Sequence, residues 1–230
     1  MKAVVVGATG ATGEALVRQL VHVKDFKEVV TVGRRVLENV DPGTAKLDHL
    51  AVDMDKLETE ARPAFEHADC VFCCLGTTRK VAGSAAAFKK VDYDYVAATA
   101  RLAKACGVKQ FSLVTAQGAN AKVPANDWGV FHPLLYTKTK GLAEQAVLSE
   151  GFPRTSIFRP GMLERGAKAR PGEKLFSWLS SLDVQDLARL MILDALRDPA
   201  SAKPVMFFEM GELQRAKKLA DVAPSPDKAY

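Results

Sequence analysis

The first thirteen residues, MKAVVVGATGATG, constrain the fold of this chain more than any other stretch of its sequence. Residues 3–6 are small or β-branched and apolar, a pattern that predicts one short buried strand. Three glycines follow at a spacing of three, Gly7, Gly10 and Gly13, and a helical pattern of apolar residues begins at Ala11. A strand that turns directly into a helix points the helix's unpaired N–H groups and its positive dipole end at the turn. The stretch therefore predicts a phosphate-binding loop between a strand and a helix.

Each glycine has its own role in such a loop. Gly7 would form the tight turn, Gly10 would let a pyrophosphate approach the backbone, and Gly13 would let the helix pack closely on the strand. A flexible glycine-rich loop is the alternative, because a glycine triplet alone is weak evidence. The strand before the loop and the helix after it favour dinucleotide binding.

The rest of the chain alternates short apolar strands with amphipathic helices. This alternation predicts an α/β fold, a doubly wound Rossmann-type parallel sheet with helices on both faces. The length of 230 residues predicts a single NAD(P)-binding domain over 1–218 with small substrate-side elements at its C-terminal end, and a flexible tail at 219–230. The predicted strands are 3–6, 29–32, 49–52, 70–75, 111–115, 155–158 and, at the edge of the sheet, 205–209. The first main helix is predicted to begin at residue 11, and the other main helices span 91–105, 133–149 and 184–196. We expect irregular structure in segments 117–133 and 162–182.

Composition and charge limit the classes of partner. The sequence is 48% hydrophobic but contains no apolar run near the ~20 residues that span a bilayer, so we expect no membrane partner. The net charge of +5 comes from scattered Lys and Arg rather than from one basic block, which favours an anionic cofactor over nucleic acid. Because a predicted strand stands where a signal peptide would lie, we expect a cytoplasmic protein, with a nuclear fraction as the alternative.

Three of the four cysteines, Cys70, Cys73 and Cys74, lie in the apolar run CVFCCL, and Cys106 ends a predicted helix. The spacing of Cys70 and Cys73 is that of a metal-binding pair, but no second pair and no histidine is close in sequence. Successive side chains on a strand also point to opposite faces. We interpret the cysteines as small buried apolar residues and predict no metal site.

The second predicted strand ends in Gly33, Arg34 and Arg35. In a dinucleotide-binding fold, the residue after this strand meets the adenosine ribose, where an acid binds the 2′-hydroxyl and an arginine suits a 2′-phosphate. The sequence has two arginines and no acid at this place. It therefore predicts NADP(H) in preference to NAD(H), and a solvated strand end is the alternative interpretation.

Tyr136 and Lys140 lie one helical turn apart, so the phenol and the ammonium group share one face of the predicted helix 133–149. A lysine cation so close stabilises the phenolate form of the tyrosine, and the pair could then exchange a proton with a carbonyl oxygen. The alternative is an ordinary solvated helix face, because this spacing is common by chance. The position after the fifth strand of a dinucleotide-binding fold favours a catalytic pair.

In their order along the chain, these motifs resemble those of the short-chain dehydrogenase/reductase superfamily, specifically its atypical branch. The resemblance includes the glycine loop, Asp53 after the third strand, the Tyr136–Lys140 pair, and the sequence Arg159-Pro160-Gly161. Within that branch the chain is most similar to the Tat-interacting-protein oxidoreductases. The matching stretches are GATGATGEALV, VGRR, FCCLGTTR, VDYDYV, LAKACGVKQF, YTKTKG and FRPGMLERGAKARPGE, with a weaker match in LDVQDLARLMI.

The resemblance implies a bound NADPH and assigns residues to each part of it. The implied contacts are Thr9, Ala11 and Thr12 at the pyrophosphate, Arg34 at the 2′-phosphate, Asp53 near the adenine, Leu75, Gly76 and Thr77 on the nicotinamide side, Lys140 at the nicotinamide ribose, and Pro160 and Gly161 flanking the nicotinamide.

One departure from the superfamily concerns its catalytic serine, which aligns with Ala116. Thr115, one residue earlier, carries the nearest hydroxyl. Because neighbours on a strand face opposite ways, Thr115 would reach a substrate only if the strand end twists. An oxyanion donor is worth ~3 kcal/mol, so its absence would reduce activity markedly.

These observations predict an NADPH-dependent oxidoreductase that acts on a small carbonyl or alcohol substrate. Tyr136 would be the acid/base, Lys140 would tune it, and Thr115 would orient the carbonyl. The main alternative is a regulatory module that binds NADPH and acts through protein partners, a role associated with the Tat-interacting family. A nucleotide-sugar epimerase or dehydratase is a weaker alternative, because those enzymes usually carry a larger C-terminal domain than the about 70 residues that follow the sixth strand here.

Overall fold

The computed structural model describes residues 1–125, 132–165 and 181–222. Within these residues, seven parallel strands form one sheet in the order β3-β2-β1-β4-β5-β6-β9, and β7 and β8 form a separate parallel pair. The strands are β1 (Lys2–Val6), β2 (Glu28–Gly33), β3 (Lys46–Ala51), β4 (Cys70–Cys73), β5 (Gln110–Val114), β6 (Arg154–Arg159), β7 (Met162–Glu164), β8 (Ser181–Asp183) and β9 (Val205–Glu209).

Helices cover both faces of the sheet, as parallel strands that are apolar on both sides require. One core layer lies between the sheet and α1 and α8, and the other lies between the sheet and α6 and α7. The helices are α1 (Ala11–Leu20), α2 (Leu57–Glu60), α3 (Arg62–Phe65), α4 (Arg79–Ala82), α5 (Ala85–Lys89), α6 (Tyr95–Ala105), α7 (His132–Ser149), α8 (Val184–Ala195) and α9 (Met210–Val222), with a 3₁₀ turn at Met54–Lys56 and a π-helical turn at Lys90–Asp94.

The strand order reverses between β1 and β4, and this reversal positions the site. The chain proceeds outward from β1 through β2 to β3, and then crosses back to β4 on the other side of β1. Connections from the carboxyl ends of β1 and β4 therefore diverge and leave a crevice, which is where open α/β sheets bind their ligands. The predicted doubly wound fold is confirmed.

The glycine loop closes tightly onto the first helix. Gly7 has a φ of +88°, in the left-handed region that favours glycine. A Cβ on Gly13 would lie 2.3 Å from the carbonyl oxygen of Gly7, so no side chain fits between α1 and the loop. The turn and the close packing that the sequence predicted for these two glycines are both present.

Some boundaries differ from the sequence predictions. The helix predicted over 91–105 begins as the π-helical turn Lys90–Asp94 and becomes α-helical at Tyr95. Part of the segment 162–182, predicted to be irregular, forms β7 and β8, because short strands can pair even where the sequence shows little periodicity. Helix α9 continues to Val222, which corrects the predicted start of a flexible tail at 219; residues 223–230 lie outside the described part of the chain.

Candidate active site and cofactor cleft

Two adjoining cavities lie at the carboxyl ends of the strands, on either side of the glycine loop. The cavity nearer β2 and β3, here called the outer cleft, measures about 90 Å³. The cavity nearer β4 and β5, here called the inner cavity, measures about 160 Å³. Leu75, which follows β4, lines both of them.

The outer cleft is positively charged. Its only ionisable lining groups among the described residues are the side chains of Arg34, Arg35, His49 and Tyr95, and both arginines are exposed to solvent. No carboxylate is among the described residues that line it. The full lining is Gly7, Ala8, Thr9, Val32, Gly33, Arg34, Arg35, His49, Met54, Leu75, Val91 and Tyr95.

Asp53 has a structural role beside the outer cleft. Its carboxylate accepts a hydrogen bond from the backbone N–H of Asp55 at 3.0 Å and so caps the 3₁₀ turn. Its own N–H donates to Glu60 at 2.9 Å. Among the described residues that follow β3, Met54 lines the outer cleft and Asp53 does not. The adenine contact implied for Asp53 stays a prediction.

The inner cavity brings together residues from six separate parts of the sequence, including Leu163 and Arg165 on and directly after β7. The other five are the N-terminus of α1, the loop after β4, the π-helical turn, the end of β5 and helix α7. Its lining residues are Gly10, Ala11, Thr12, Cys74, Leu75, Gly76, Thr77, Asp92, Val114, Thr115, Tyr136, Lys140, Leu163 and Arg165.

Lys140 is buried in the inner cavity and paired with Asp92. The Nζ atom lies 2.8 Å from the Asp92 carboxylate, and both side chains are almost inaccessible to solvent. Nζ also donates to the carbonyl oxygen of Leu75 at 3.4 Å. Burial alone would lower the pKa of Lys140, but the Asp92 carboxylate and Tyr136 outweigh it, so the pKa lies above its usual value and the side chain is a cation at neutral pH.

Asp92 also fixes the loop after β4. Its second carboxylate oxygen accepts a hydrogen bond from the backbone N–H of Thr77 at 2.8 Å. A Cβ on Gly76 would lie 3.2 Å from Lys140 Nζ and 3.5 Å from the Asp92 carboxylate, so glycine leaves room for the pair. Sequence reasoning missed Asp92, although it lies in the family-like stretch VDYDYV, because nothing in the sequence places it beside Lys140.

Tyr136 lies on the same face of α7, one turn before Lys140, as the spacing predicted. Its half-buried ring stacks on Phe88 with the centroids 6.0 Å apart, and Lys140 Nζ lies 6.0 Å from the ring centroid. A Cβ on Gly141 would lie 2.1 Å from the backbone nitrogen of Ala121, so α7 packs directly on the loop after β5. These contacts orient the phenol within the inner cavity.

Thr115 lines the inner cavity, but its hydroxyl hydrogen is already engaged. The hydroxyl donates to the buried carboxylate of Glu144 at 2.7 Å, two turns after Tyr136 on α7. The same carboxylate accepts both Arg159 Nε at 2.9 Å and Arg159 Nη2 at 2.6 Å. A threonine that donates its hydrogen to Glu144 cannot donate it to a substrate carbonyl. This geometry does not support the predicted orienting role for Thr115, and the half-buried Ala116 offers no hydroxyl in its place.

Pro160 and Gly161 hold the loop after β5 against the end of β6. The N–H of Gln117 donates to the Pro160 carbonyl at 2.9 Å, and a Cβ on Gly161 would lie 2.6 Å from the Gln117 side-chain oxygen. Neither residue is among the described residues that line the two cavities. Their implied contact with the nicotinamide stays a prediction.

Two of the four cysteines are buried, and the other two, Cys74 and Cys106, are half-buried. Cys70 and Cys73 are buried, and burial raises the pKa of the Cys73 thiol to about 12. Cys74 is only half-buried and lines the inner cavity, while burial likewise raises the pKa of its thiol. Across 1–125, 132–165 and 181–222, no three His, Cys, Asp or Glu side chains come close enough to hold a metal ion.

The cavities fit an extended dinucleotide that crosses the glycine loop. The first turn of α1 presents its backbone N–H groups without a side-chain cap at Gly10, as an anion site requires. The outer cleft supplies two arginines at one end, and the inner cavity supplies the buried Lys140 cation at the other. Among the predicted contacts, Thr9, Arg34 and Arg35 lie in the outer cleft, and Ala11, Thr12, Gly76, Thr77 and Lys140 lie in the inner cavity.

A family model for NAD(P)H-binding proteins matches residues 7–199. The chain belongs to this NAD(P)H-binding family. It is 40% identical to the protein HTATIP2 of Rattus norvegicus over 173 residues, 74% of this chain and 66% of that protein. It is 38% identical to the mitochondrial protein FMP52-1 of Scheffersomyces stipitis over 168 residues, 71% of this chain and 67% of that protein. The predicted resemblance to the Tat-interacting proteins is confirmed, and the chain spans about two thirds of the length of these relatives.

Solved structures share the fold at low sequence identity. MoeE5 in complex with UDP-glucuronic acid and NAD matches with a TM-score of 0.70 and 18% identity, covering 91% of this chain and 76% of MoeE5. The oxidoreductase YlbE of Lactococcus lactis matches with a TM-score of 0.67 and 20% identity, covering 95% of this chain and 96% of YlbE. These likenesses support the fold alone.

The relatives contradict the expected cytoplasmic location. The FMP52 proteins of Lodderomyces elongisporus and Debaryomyces hansenii, like that of Scheffersomyces stipitis, are named as mitochondrial. The expectation was wrong because it considered only a secretory signal peptide. In the described part of the chain, no helix combines the length and the apolar character needed to cross a bilayer.

The buried Lys140–Asp92 pair leads to a stability prediction. Asp92→Asn keeps an acceptor for the Thr77 N–H but leaves the Lys140 cation buried without a counter-charge. We expect the free energy of unfolding to fall by about 3–5 kcal/mol, measured by urea denaturation at pH 7. Asp94→Asn, an exposed change in the same π-helical turn, is the control and should change it by less than ~0.5 kcal/mol. Equal losses in the two variants would contradict the role given to the pair.

Proposed function

We propose that this chain is an NADP(H)-dependent oxidoreductase that interconverts small carbonyl and alcohol compounds. One observation carries the proposal: Tyr136 and the buried Lys140 lie in the same cavity as the uncapped N-terminus of α1. A proton-transferring pair therefore stands beside the part of the fold suited to a dinucleotide. Membership of the NAD(P)H-binding family supports the cofactor class.

The preference for NADP(H) rests on the outer cleft. Arg34 and Arg35 follow β2, where the adenosine ribose lies in this fold, and no described lining residue carries a carboxylate that would repel a phosphate. When bound, NADPH supplies a hydride to the carbonyl carbon. Arg34 and Arg35 bind the 2′-phosphate by charge-assisted hydrogen bonds.

Tyr136 supplies the proton that the carbonyl oxygen takes up in the reduction, and it receives the proton in the oxidation. The Lys140 cation stabilises the phenolate that forms when Tyr136 gives up its proton. Asp92 and the Leu75 carbonyl hold Lys140 in place for this role. Leu75, Val114 and Leu163 form an apolar part of the wall of the inner cavity, which Tyr136 and Lys140 also line.

A second candidate is an NADPH-binding regulatory module with weak or no turnover, acting through protein partners. The specific observation in its favour is the end of β5, where Ala116 replaces the catalytic serine and the Thr115 hydroxyl donates to Glu144. A missing oxyanion donor costs about a hundredfold in rate. The epimerase or dehydratase alternative gains no support from MoeE5, because an identity of 18% supports the fold alone.

The cofactor preference is testable by binding. We expect NADPH to bind roughly ten- to a hundredfold more tightly than NADH, since a charge-assisted hydrogen bond contributes about 1.5–3 kcal/mol. Arg34→Glu should flatten or reverse the preference in isothermal titration calorimetry. Arg62→Glu makes the same charge change on α3, outside the lining of either cavity, and should keep the preference. Equal affinities for the two cofactors in the unmodified protein would refute the NADP(H) assignment.

The proton-donor assignment is testable by turnover. With a panel of carbonyl compounds, NADPH oxidation should fall at least ~10²-fold in Tyr136→Phe, while NADPH affinity stays unchanged because the ring keeps its shape. Lys140→Met should lower both turnover and affinity, because Lys140 stabilises the phenolate and binds the nicotinamide ribose. Full activity in Tyr136→Phe would exclude Tyr136 as the donor, and no turnover of any compound would favour the regulatory module.

A substitution at the end of β5 also distinguishes the oxidoreductase from the regulatory module. Ala116→Ser adds a hydroxyl at the position of the superfamily's catalytic serine, and we expect reductase turnover to rise by up to ~10²-fold without a change in NADPH affinity. Thr115→Ser, which keeps the hydrogen bond to Glu144, is the matched control and should leave turnover near that of the unmodified protein. If Ala116→Ser has no effect on turnover, the end of β5 takes no part in the chemistry.

A further inference from the structure

Arg165 brings a second cationic side chain to the inner cavity. It directly follows β7 and lines the cavity together with Leu163. Leu163 is buried, whereas the exposed Glu164 accepts a hydrogen bond from the Ser181 hydroxyl and is not among the described residues that line the cavity. This placement follows the alternation of successive side chains between the two faces of a strand. The guanidinium group therefore belongs to the cavity, and the neighbouring carboxylate does not.

The strand that leads into Arg165 shares a core layer with the glycine loop. β7 pairs in parallel with β8, and Leu163 belongs to the same apolar core layer as Ala8 in the loop. The first residues of α1, Ala11 and Thr12, line the same cavity as Arg165. The N-terminus of α1 and the guanidinium group therefore open onto one space.

The charges around this space favour an anion beside Arg165. Residues 7–13 of the glycine loop contain no Lys or Arg, and the N-terminus of a helix supplies only roughly half a positive charge. Lys140 forms an ion pair with Asp92 at 2.8 Å, so its charge is already balanced within the protein. Arg165 is the other cation among the described residues that line the cavity. The diphosphate of a dinucleotide bears a negative charge on each phosphate and needs a counter-charge at this place.

We propose that Arg165 binds the diphosphate of the cofactor by charge-assisted hydrogen bonds, together with the backbone N–H groups at the N-terminus of α1. A guanidinium group presents two parallel N–H donors, which match the oxygens of a phosphate. NADH and NADPH share the diphosphate, so the contact contributes equally to both affinities, whereas Arg34 and Arg35 act on the choice between them. This role depends on membership of the NAD(P)H-binding family, and neither on the proposed preference for NADP(H) nor on turnover.

The test measures dissociation constants for NADPH and NADH by calorimetry and requires no turnover. Arg165→Met removes the charge and keeps an unbranched side chain, and we expect both affinities to fall by the same factor, about ten- to a hundredfold. Arg165→Lys keeps the charge but loses the paired donors, so it should recover part of both affinities. Arg62→Met is the matched control, because Arg62 is exposed on α3 and outside the lining of either cavity, and it should change neither constant.

Two fragments of the cofactor locate the contact. ADP-ribose contains the diphosphate and lacks the 2′-phosphate, whereas 2′-AMP contains the 2′-phosphate alone. Arg165→Met should weaken the binding of ADP-ribose by about the same factor as that of NADH and leave the binding of 2′-AMP unchanged. If Arg165→Met leaves both dinucleotides unaffected, or weakens NADPH alone, Arg165 does not bind the diphosphate. Equal affinities for NADPH and NADH in the unmodified protein would refute the proposed NADP(H) preference but not this role of Arg165.

Discussion

The buried ion pair between Lys140 and Asp92 is the interaction on which the candidate active site depends. It joins α7 to the π-helical turn before α6, and the second Asp92 oxygen joins both to the loop after β4 through the Thr77 N–H. Two charges can stay buried only while they are paired in good geometry, so these three segments cannot move apart without a large cost. Tyr136, one turn before Lys140, is oriented by the same arrangement.

The two cavities lie where the strand order of the sheet reverses, and in the proposed function they bind different parts of one dinucleotide. The outer cleft, between the ends of β1, β2 and β3, is cationic and open to solvent, which suits a charged and hydrated group. The inner cavity is lined by the Lys140–Asp92 ion pair, by a further cationic side chain, Arg165, and by apolar residues such as Val114 and Leu163.

The end of β5 explains why the fold alone does not settle the chemistry. Glu144 collects the Thr115 hydroxyl and a bidentate Arg159, and Arg159 continues to Glu209 at 2.6 Å, so one network links β5, α7, β6 and β9. The network uses a hydroxyl close to the cavity to hold the strands together. Because the Thr115 hydroxyl donates its hydrogen to Glu144, it cannot also donate a second hydrogen bond to a substrate.

The sequence by itself determined the local features of this protein. The glycine loop, the parallel fold, the edge strand at 205–209 and the spacing of Tyr136 and Lys140 depend on residues close together in the chain, and their patterns report local geometry directly. Helix α9 escaped prediction because its residues lie in a polar segment without a strong apolar stripe.

Only the tertiary structure decided which distant residues meet. Asp92 and Lys140 are 48 positions apart, and Thr115 and Glu144 are 29 positions apart. Nothing in the local sequence therefore shows that Asp92 forms an ion pair with Lys140, or that Glu144 accepts a hydrogen bond from the Thr115 hydroxyl. The same holds for His49, whose ring is fixed by Thr31 on a neighbouring strand. Sequence patterns determine which face of an element a side chain occupies, whereas partners are set by the register and packing of whole elements, which depend on the complete fold.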